Sequence, residues 1–337
     1  RSWRSRVLAF VRVSQHERAE TAETVEALTT RAFVTSTKWF QRASVAVPED
    51  WASYPWLYWE QEPVNRYEQV ELIQSFVSEK KWEAYPVEPR RDFYQMSLLA
   101  LIWQGAVLET GASAPSGKTQ TEMCGFLFTR TPPAGMSDTF EMEADNEPGG
   151  WLRLAVQAAR AWQYAREQKT LTVEVLCKCH GIMFDGAVVD KEAFAGAGKL
   201  RTEAVFAGAH NHQFPDHRQI PTRLQKILKE FNHRKYPDAI ENATNLFYQI
   251  VTLHPFINGN GRISRLLFAY SQCRDGFPFP VFLTNGRSKA RKNFIEALKW
   301  AQERSKMTRL RIFAVTAVER AVRNAQDFFS DDPAPFV

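Results

Sequence analysis

Twelve consecutive residues hold the densest chemistry in this chain, His254-Pro255-Phe256-Ile257-Asn258-Gly259-Asn260-Gly261-Arg262-Ile263-Ser264-Arg265. Phe247, Ile250, Val251 and His254 recur at helical spacing, so His254 ends an apolar helix face. A residue before proline is steered out of the α region, which predicts that the helix stops at His254 and leaves its imidazole at a helix end. The two glycines that follow admit left-handed or tight-turn backbone and expose successive N–H groups. A second amphipathic helix then begins, with Ile263, Leu266, Leu267 and Tyr270 inward. A glycine turn feeding a helix N-terminus is an anion-binding nest. Arg262 and Arg265 stand in its first turns, where the dipole disfavours a cation by about 0.3–1 kcal/mol. Two guanidinium groups added to an already positive site predict a multiply charged phosphate as ligand.

The remaining elements must hold that constellation in place. Helical patterns cover residues 96–109, 151–168, 172–184, 222–231, 240–254, 262–274, 291–305 and 308–329. Residues 195–221 break the pattern: a Gly-rich run, a strand candidate at Ala204-Val205-Phe206 and a polar His/Pro stretch read as a hairpin or flap. An acidic loop at residues 131–150, containing PPAG and EPGG, is the best internal boundary. The expected fold is mainly α with one small β-hairpin.

HPFINGNGRISR resembles the signature of the Fic (filamentation induced by cAMP) family, His-Pro-Phe-x-(Asp/Glu)-Gly-Asn-Gly-Arg-x-x-Arg. Gly198-Lys199-Leu200-Arg201-Thr202-Glu203-Ala204-Val205 is similar to that family's flap. The resemblance runs from about residue 151 to residue 314. It implies a Fic-type helical core with a β-hairpin flap, here with an N-terminal helical accessory region. The implied layout is an accessory region at 1–95, an inhibitory-helix segment and acidic loop at 96–150, a catalytic core at 151–314, and a C-terminal helix and tail at 315–337. The implied reaction moves AMP from Mg-ATP onto a Ser, Thr or Tyr hydroxyl of a target protein. Within it His254 is the general base, a task suited to a neutral imidazole. Gly259, Asn260, Gly261, Arg262 and Arg265 hold phosphate and the charge that builds at the α-phosphorus. Lys199, Arg201, Thr202 and Val205 of the flap dock the target as an added strand. Phe294 and Gln302 are the implied nucleobase contacts.

Two departures from the pattern matter. The Mg²⁺-ligating carboxylate of the signature is Asn258 here, a weak ligand for a hard cation. That leaves open a weakened transferase, a different phosphate-containing donor, hydrolytic removal of AMP from a modified protein, or a non-catalytic phosphate-binding module. The family's inhibitory helix is matched only by Glu109, within Gly105-Ala106-Val107-Leu108-Glu109-Thr110.

Composition sets the outer limits. The chain has 337 residues, a net charge of +5 and 44% hydrophobic residues, which excludes disordered and fibrous classes. The charge excess is too diffuse for a nucleic-acid binder, and the longest apolar run, residues 96–108, is too short to span a bilayer. Four cysteines do not frame a chain of this size with disulfides. The opening RSWRSRVLAFVRV shows no clear leader pattern, so the cytoplasm is the default compartment. Expected partners are a nucleotide and a protein bearing an acceptor hydroxyl, with a homo-oligomer compatible. Residues 112–119 match a loose phosphate-loop pattern, but no buried strand precedes them and Pro115 interrupts it, so coincidence is the better reading. His210, His212 and His217 read as solvated loop histidines, and the Cys177-Lys178-Cys179-His180 spacing on a helix disfavours zinc.

Overall fold

A computed structural model describes residues 72–329, except 78, 80, 111–121, 124–125, 128–131, 143–146, 208–211, 236–237 and 284–287. The phosphate-loop-like stretch and most of the expected accessory region therefore lie outside the described residues. Eight longer helices organise the rest: α1 Val87–Thr110, α2 Pro148–Glu167, α3 Val173–Met183, α4 Ile220–Asn232, α5 Ala239–Leu253, α6 Asn260–Arg274, α7 Ser288–Arg304 and α8 Thr308–Phe329. The expected boundaries at 95/96 and 314/315 each fall inside one of these, α1 and α8.

Local chemistry explains where several helices start. Thr172 caps α3 by accepting from the Val175 N–H at 3.2 Å, and Asp238 caps α5 by accepting from the Glu241 N–H at 2.7 Å. Pro148 and Pro221 sit in the first turns of α2 and α4, where no N–H is needed. Asn232, at the end of α4, accepts from the Leu171 N–H and donates to the Leu171 carbonyl, which fastens the start of α3.

Strands are few. β1 Phe140–Glu141 runs parallel to β2 Ala187–Val189, which turns antiparallel into β3 Glu192–Ala193. β4 Phe206–Ala207 and β5 His212–Gln213 form a separate hairpin. The expected acidic loop thus contains β1 and the first turn of α2. The strand anticipated at residues 204–206 begins two residues later.

Helix α6 lies at the centre, buried along nearly its whole length, with α5 antiparallel beside it. One core surrounds α6 with apolar residues of α1 to α5, among them Leu98, Trp162, Leu176, Leu228, Ile250 and Leu267. A second core joins the other faces of α5 and α6, through Phe247 and Phe268, to α7, α8 and the segment before α1. There Trp82 packs on Phe279 with ring centroids 5.0 Å apart, and Tyr85 stacks on Phe329 at 4.0 Å. The catalytic-looking segment is therefore the α5–α6 corner of the most deeply packed helix pair.

Candidate functional site

The corner is built by a helix that stops abruptly. Leu253 is the last helical residue of α5, and His254 adopts φ 52°, ψ 61°. This left-handed conformation costs a non-glycine residue about 1–2 kcal/mol. The sequence had pointed to extended backbone before Pro255, so the exit is sharper than expected. Arg201 offsets the strain. Its Nε donates to the His254 carbonyl at 2.7 Å, Nη1 to the Glu203 carbonyl at 2.7 Å and Nη2 to that of Pro215 at 2.5 Å. A buried cation at a helix C-terminus also complements the dipole.

The imidazole itself is half-buried and held from two directions. Nδ1 lies 3.3 Å from the Val251 carbonyl, which can only accept, so Nδ1 carries the hydrogen and Nε2 keeps its lone pair. The Phe214 ring, just beyond β5, stacks on it with centroids 3.6 Å apart and planes 19° apart.

After Pro255 the chain turns back through Phe256 to α6. Leu200 bridges Phe256, and the Arg201 N–H donates to the Pro255 carbonyl at 2.9 Å, so the flap base and the loop are joined by main chain. Asn260 accepts from the Phe256 N–H at 3.0 Å and donates to the Phe256 carbonyl at 2.8 Å, closing the loop on itself. Gly259 has φ 77°, and a Cβ there would collide with the Phe184 ring, so both backbone and space demand glycine. Gly259 also precedes α6 without a side-chain cap, so the N–H groups of Asn260, Gly261 and Arg262 have no intrahelical acceptor.

Beneath this loop lies His180, fully buried. The Gly198 N–H donates to Nδ1 at 2.9 Å, so Nε2 carries the proton and donates to the Asn258 carbonyl at 3.0 Å. The ring stacks on Phe256 at 3.8 Å. Burial, with the Arg262 charge adding to it, lowers its pKa to about 4, although the Asn258 carbonyl pulls the other way. His180 is a neutral strut between flap base, loop and α3.

A sequence profile described as the Fic/DOC family matches residues 170–271. Residues 170–271 are therefore similar in sequence to Fic/DOC domains. Protein adenylyltransferase fic-1 of Caenorhabditis elegans is 37% identical over 89 residues, 26% of this chain and 17% of its own length. Protein adenylyltransferase Fic of Drosophila ananassae is 33% identical over 107 residues, 32% of this chain and 20% of its own. The matches thus span about a fifth of those curated relatives. Among solved structures, a fragment of Fic-1 from C. elegans covers 96% of this chain and 95% of its own, with a TM-score of 0.55 at 16% identity. A Fic domain containing signaling protein from Bacteroides thetaiotaomicron covers 78% and 97%, with a TM-score of 0.57 at 14% identity. At these identities the likeness concerns the fold, which is the helical Fic fold.

Against that fold several expected roles change. Arg201 of the Fic/DOC flap is buried at 4% exposure and ties main chain together, so it is no docking residue. Lys199 and Thr202 are exposed and Val205 half-buried, consistent in position with a surface strand. Phe294 lies at 2% exposure between Phe247 and Phe313 in the second core, where it has no face for a base. Gln302 is half-buried and donates to Thr252 at 3.3 Å, two residues before His254. Ile295, two turns ahead of Gln302 and so on the same face, is 36% exposed. That aliphatic residue, not Phe294, faces outward beside Gln302.

The arginines of the Fic/DOC signature are buried too. Arg262 donates to the Met142 carbonyl at 2.8 Å, just past β1, and covers the Phe184 ring at 4.9 Å. Arg265 donates to the Gly105 carbonyl of α1 at 3.1 Å. Both line a small cavity with Leu98, Leu154, Trp162 and Met183. Glu109 sits one turn beyond Gly105 on α1, and its side chain lies outside the described residues.

At the signature's metal-ligand position the described residues offer magnesium no charged oxygen. The Asn258 Oδ1 accepts from the Gly259 N–H at 2.6 Å, turning the one neutral oxygen at that position into its own loop. Among the described residues no group of three His, Cys, Asp or Glu converges. That same bond also engages the first amide of the expected nest. Asn260 is likewise a loop-shaping residue here, since its amide oxygen and nitrogen both bond the Phe256 main chain. Among the described residues no helix is long and apolar enough to cross a membrane.

Sequence reasoning passed over Phe214, Phe184 and the Met142 carbonyl. For Phe214 the period gave no signal: it lies just past the two-residue strand β5 and shares the parity of exposed His212.

Proposed function

We propose that this chain transfers AMP from ATP to a hydroxyl of a protein, with His254 as general base. The observation that supports the reading is the contact of His254: Nδ1 faces the Val251 carbonyl, an acceptor only, which places the neutral ring's lone pair on Nε2. The hydroxyl oxygen forms a bond to the α-phosphorus as its proton passes to Nε2. The bond from that phosphorus to the bridging oxygen breaks, and pyrophosphate leaves. The amides of Asn260, Gly261 and Arg262 at the open start of α6 cradle the phosphates, and the buried charges of Arg262 and Arg265 keep the site positive. Gln302 and Ile295 line the nucleobase side, and residues 202–206 offer the target a strand edge. The names of the relatives agree with this reaction.

The test is intact-protein mass spectrometry of the full chain and a panel of candidate targets after incubation with ATP. A mass gain of one AMP, absent in His254→Ala, is expected. Loss of AMP from a pre-modified target instead assigns the site to removal. No mass change with either, while ATP binds, assigns a binding module and ends the transferase reading.

A further inference from the structure

The contact between Phe214 and His254 has no part in the reaction as written, yet it is the closest ring pair in the site. Phe214 is 8% exposed and belongs to the flap, forty residues before the histidine in sequence. Its main chain is fixed as well, because its N–H donates to the Val205 carbonyl at 3.3 Å and the adjacent Pro215 carbonyl accepts from Arg201. The ring is thus held rigidly against one face of the imidazole. An aromatic face carries negative quadrupole charge and attracts a cation above it. Neutral imidazole gains little from that face, whereas the imidazolium formed when Nε2 accepts a proton gains more. The interaction strengthens as the reaction proceeds, and only such interactions speed the chemical step.

The geometry points to Phe214 as a positioning residue that fixes the ring plane of His254 and favours its protonated form. The inference rests on the transferase reading for its kinetic consequence alone; the effect on proton affinity stands apart from it. Among the described residues, the charged and titratable groups of the elements packed around the imidazole are these. On the flap, Arg201 meets the His254 carbonyl, and His212 and Asp216 flank Phe214. On α6, the Arg262 and Arg265 side chains bond carbonyls of Met142 and Gly105. On α7 the neighbour is the uncharged Gln302, and the last turn of α5 carries no titratable side chain.

The experiment compares wild type, Phe214→Leu, Phe214→Tyr and His254→Ala. In histidine-labelled protein, the ring resonance missing from His254→Ala is followed against pH by NMR. Phe214→Leu keeps apolar bulk but removes the π-face, so the His254 titration midpoint falls by about half a unit to one unit. Phe214→Tyr restores it. In the AMP-transfer assay the acidic limb of the kcat profile moves down by the same interval, and the plateau falls about three- to tenfold. KM for ATP stays unchanged. An unmoved midpoint in Phe214→Leu overturns the inference, as does an equal loss in Phe214→Tyr. Should leucine unfold the flap, Phe214→Met is read instead by the same titration. Absence of transfer by wild type ends the transferase reading and leaves the NMR result to decide this one.

Discussion

Acid provides a sensitive probe of the strut beneath the loop. In an unfolded chain the His180 imidazole would protonate near 6.5, whereas in the folded protein burial holds its pKa down to about 4. A depressed folded-state pKa means that the unfolded chain takes up the proton first. The stability linked to this residue is therefore whole above 6.5 and drains away as pH falls towards 4. The full difference corresponds to roughly 3 kcal/mol, a large part of the stability of a typical domain. Carboxylates titrate over part of the same range, so wild type alone would not isolate the effect. His180→Gln supplies the reference, since its amide nitrogen keeps the bond to the Asn258 carbonyl while nothing remains to titrate. At neutral pH the variant is less stable by about 1–3 kcal/mol, because the Gly198 N–H loses its acceptor. Urea unfolding at a series of pH values measures both proteins. The gap between them should close, and then reverse, between about pH 7 and about pH 4. A constant gap over that interval would mean that His180 binds protons equally in both states, and the tautomer argument would fail.

The remaining expectations concern the flap base and the loop. Arg201→Met leaves the carbonyls of Leu253, His254, Glu203 and Pro215 without their shared donor. It should lower stability by about 2–4 kcal/mol and speed amide exchange at Phe214; a loss below about 1 kcal/mol would contradict the buried tie. Gly259→Ala must hold a left-handed backbone while its Cβ meets Phe184. A fall in Tm of roughly 4–10 °C is expected by calorimetry, and an unchanged Tm would show that the turn tolerates a side chain.

Much of this architecture was readable from residue patterns because its helices carry strong periodicity and clear punctuation. The Pro255 stop and the glycines ahead of α6 set the corner within one or two residues. The β2–β3 hairpin escaped because its turn uses Asp190 and Lys191 at φ 50° and 68°, without the Asn-Gly or Asp-Gly signal that such turns usually carry. β1 escaped because two residues show no period. The resemblance gave Arg201 a docking role, and only the meeting of four carbonyls explains its burial. Phe294 lies one position from the outward face of α7, and a helix rotates by 100° per residue, so the pattern did not show that Phe294 is buried while Ile295 is exposed. Asn258 was read as a weakened ligand, but its oxygen bonds the next amide, an outcome that depends on a rotamer no sequence displays.

The two carbonyls that receive Arg262 and Arg265 come from residues 142 and 105, well upstream of residue 170 where similarity to the Fic/DOC family begins. Detectable ancestry and physical self-sufficiency therefore have different limits in this protein. A fragment trimmed to the recognisable stretch would lose both acceptor carbonyls and would expose to water the apolar face of α6 that α1 and α2 cover. Such a fragment is expected to be insoluble or loosely collapsed. The smallest workable unit begins no later than α1.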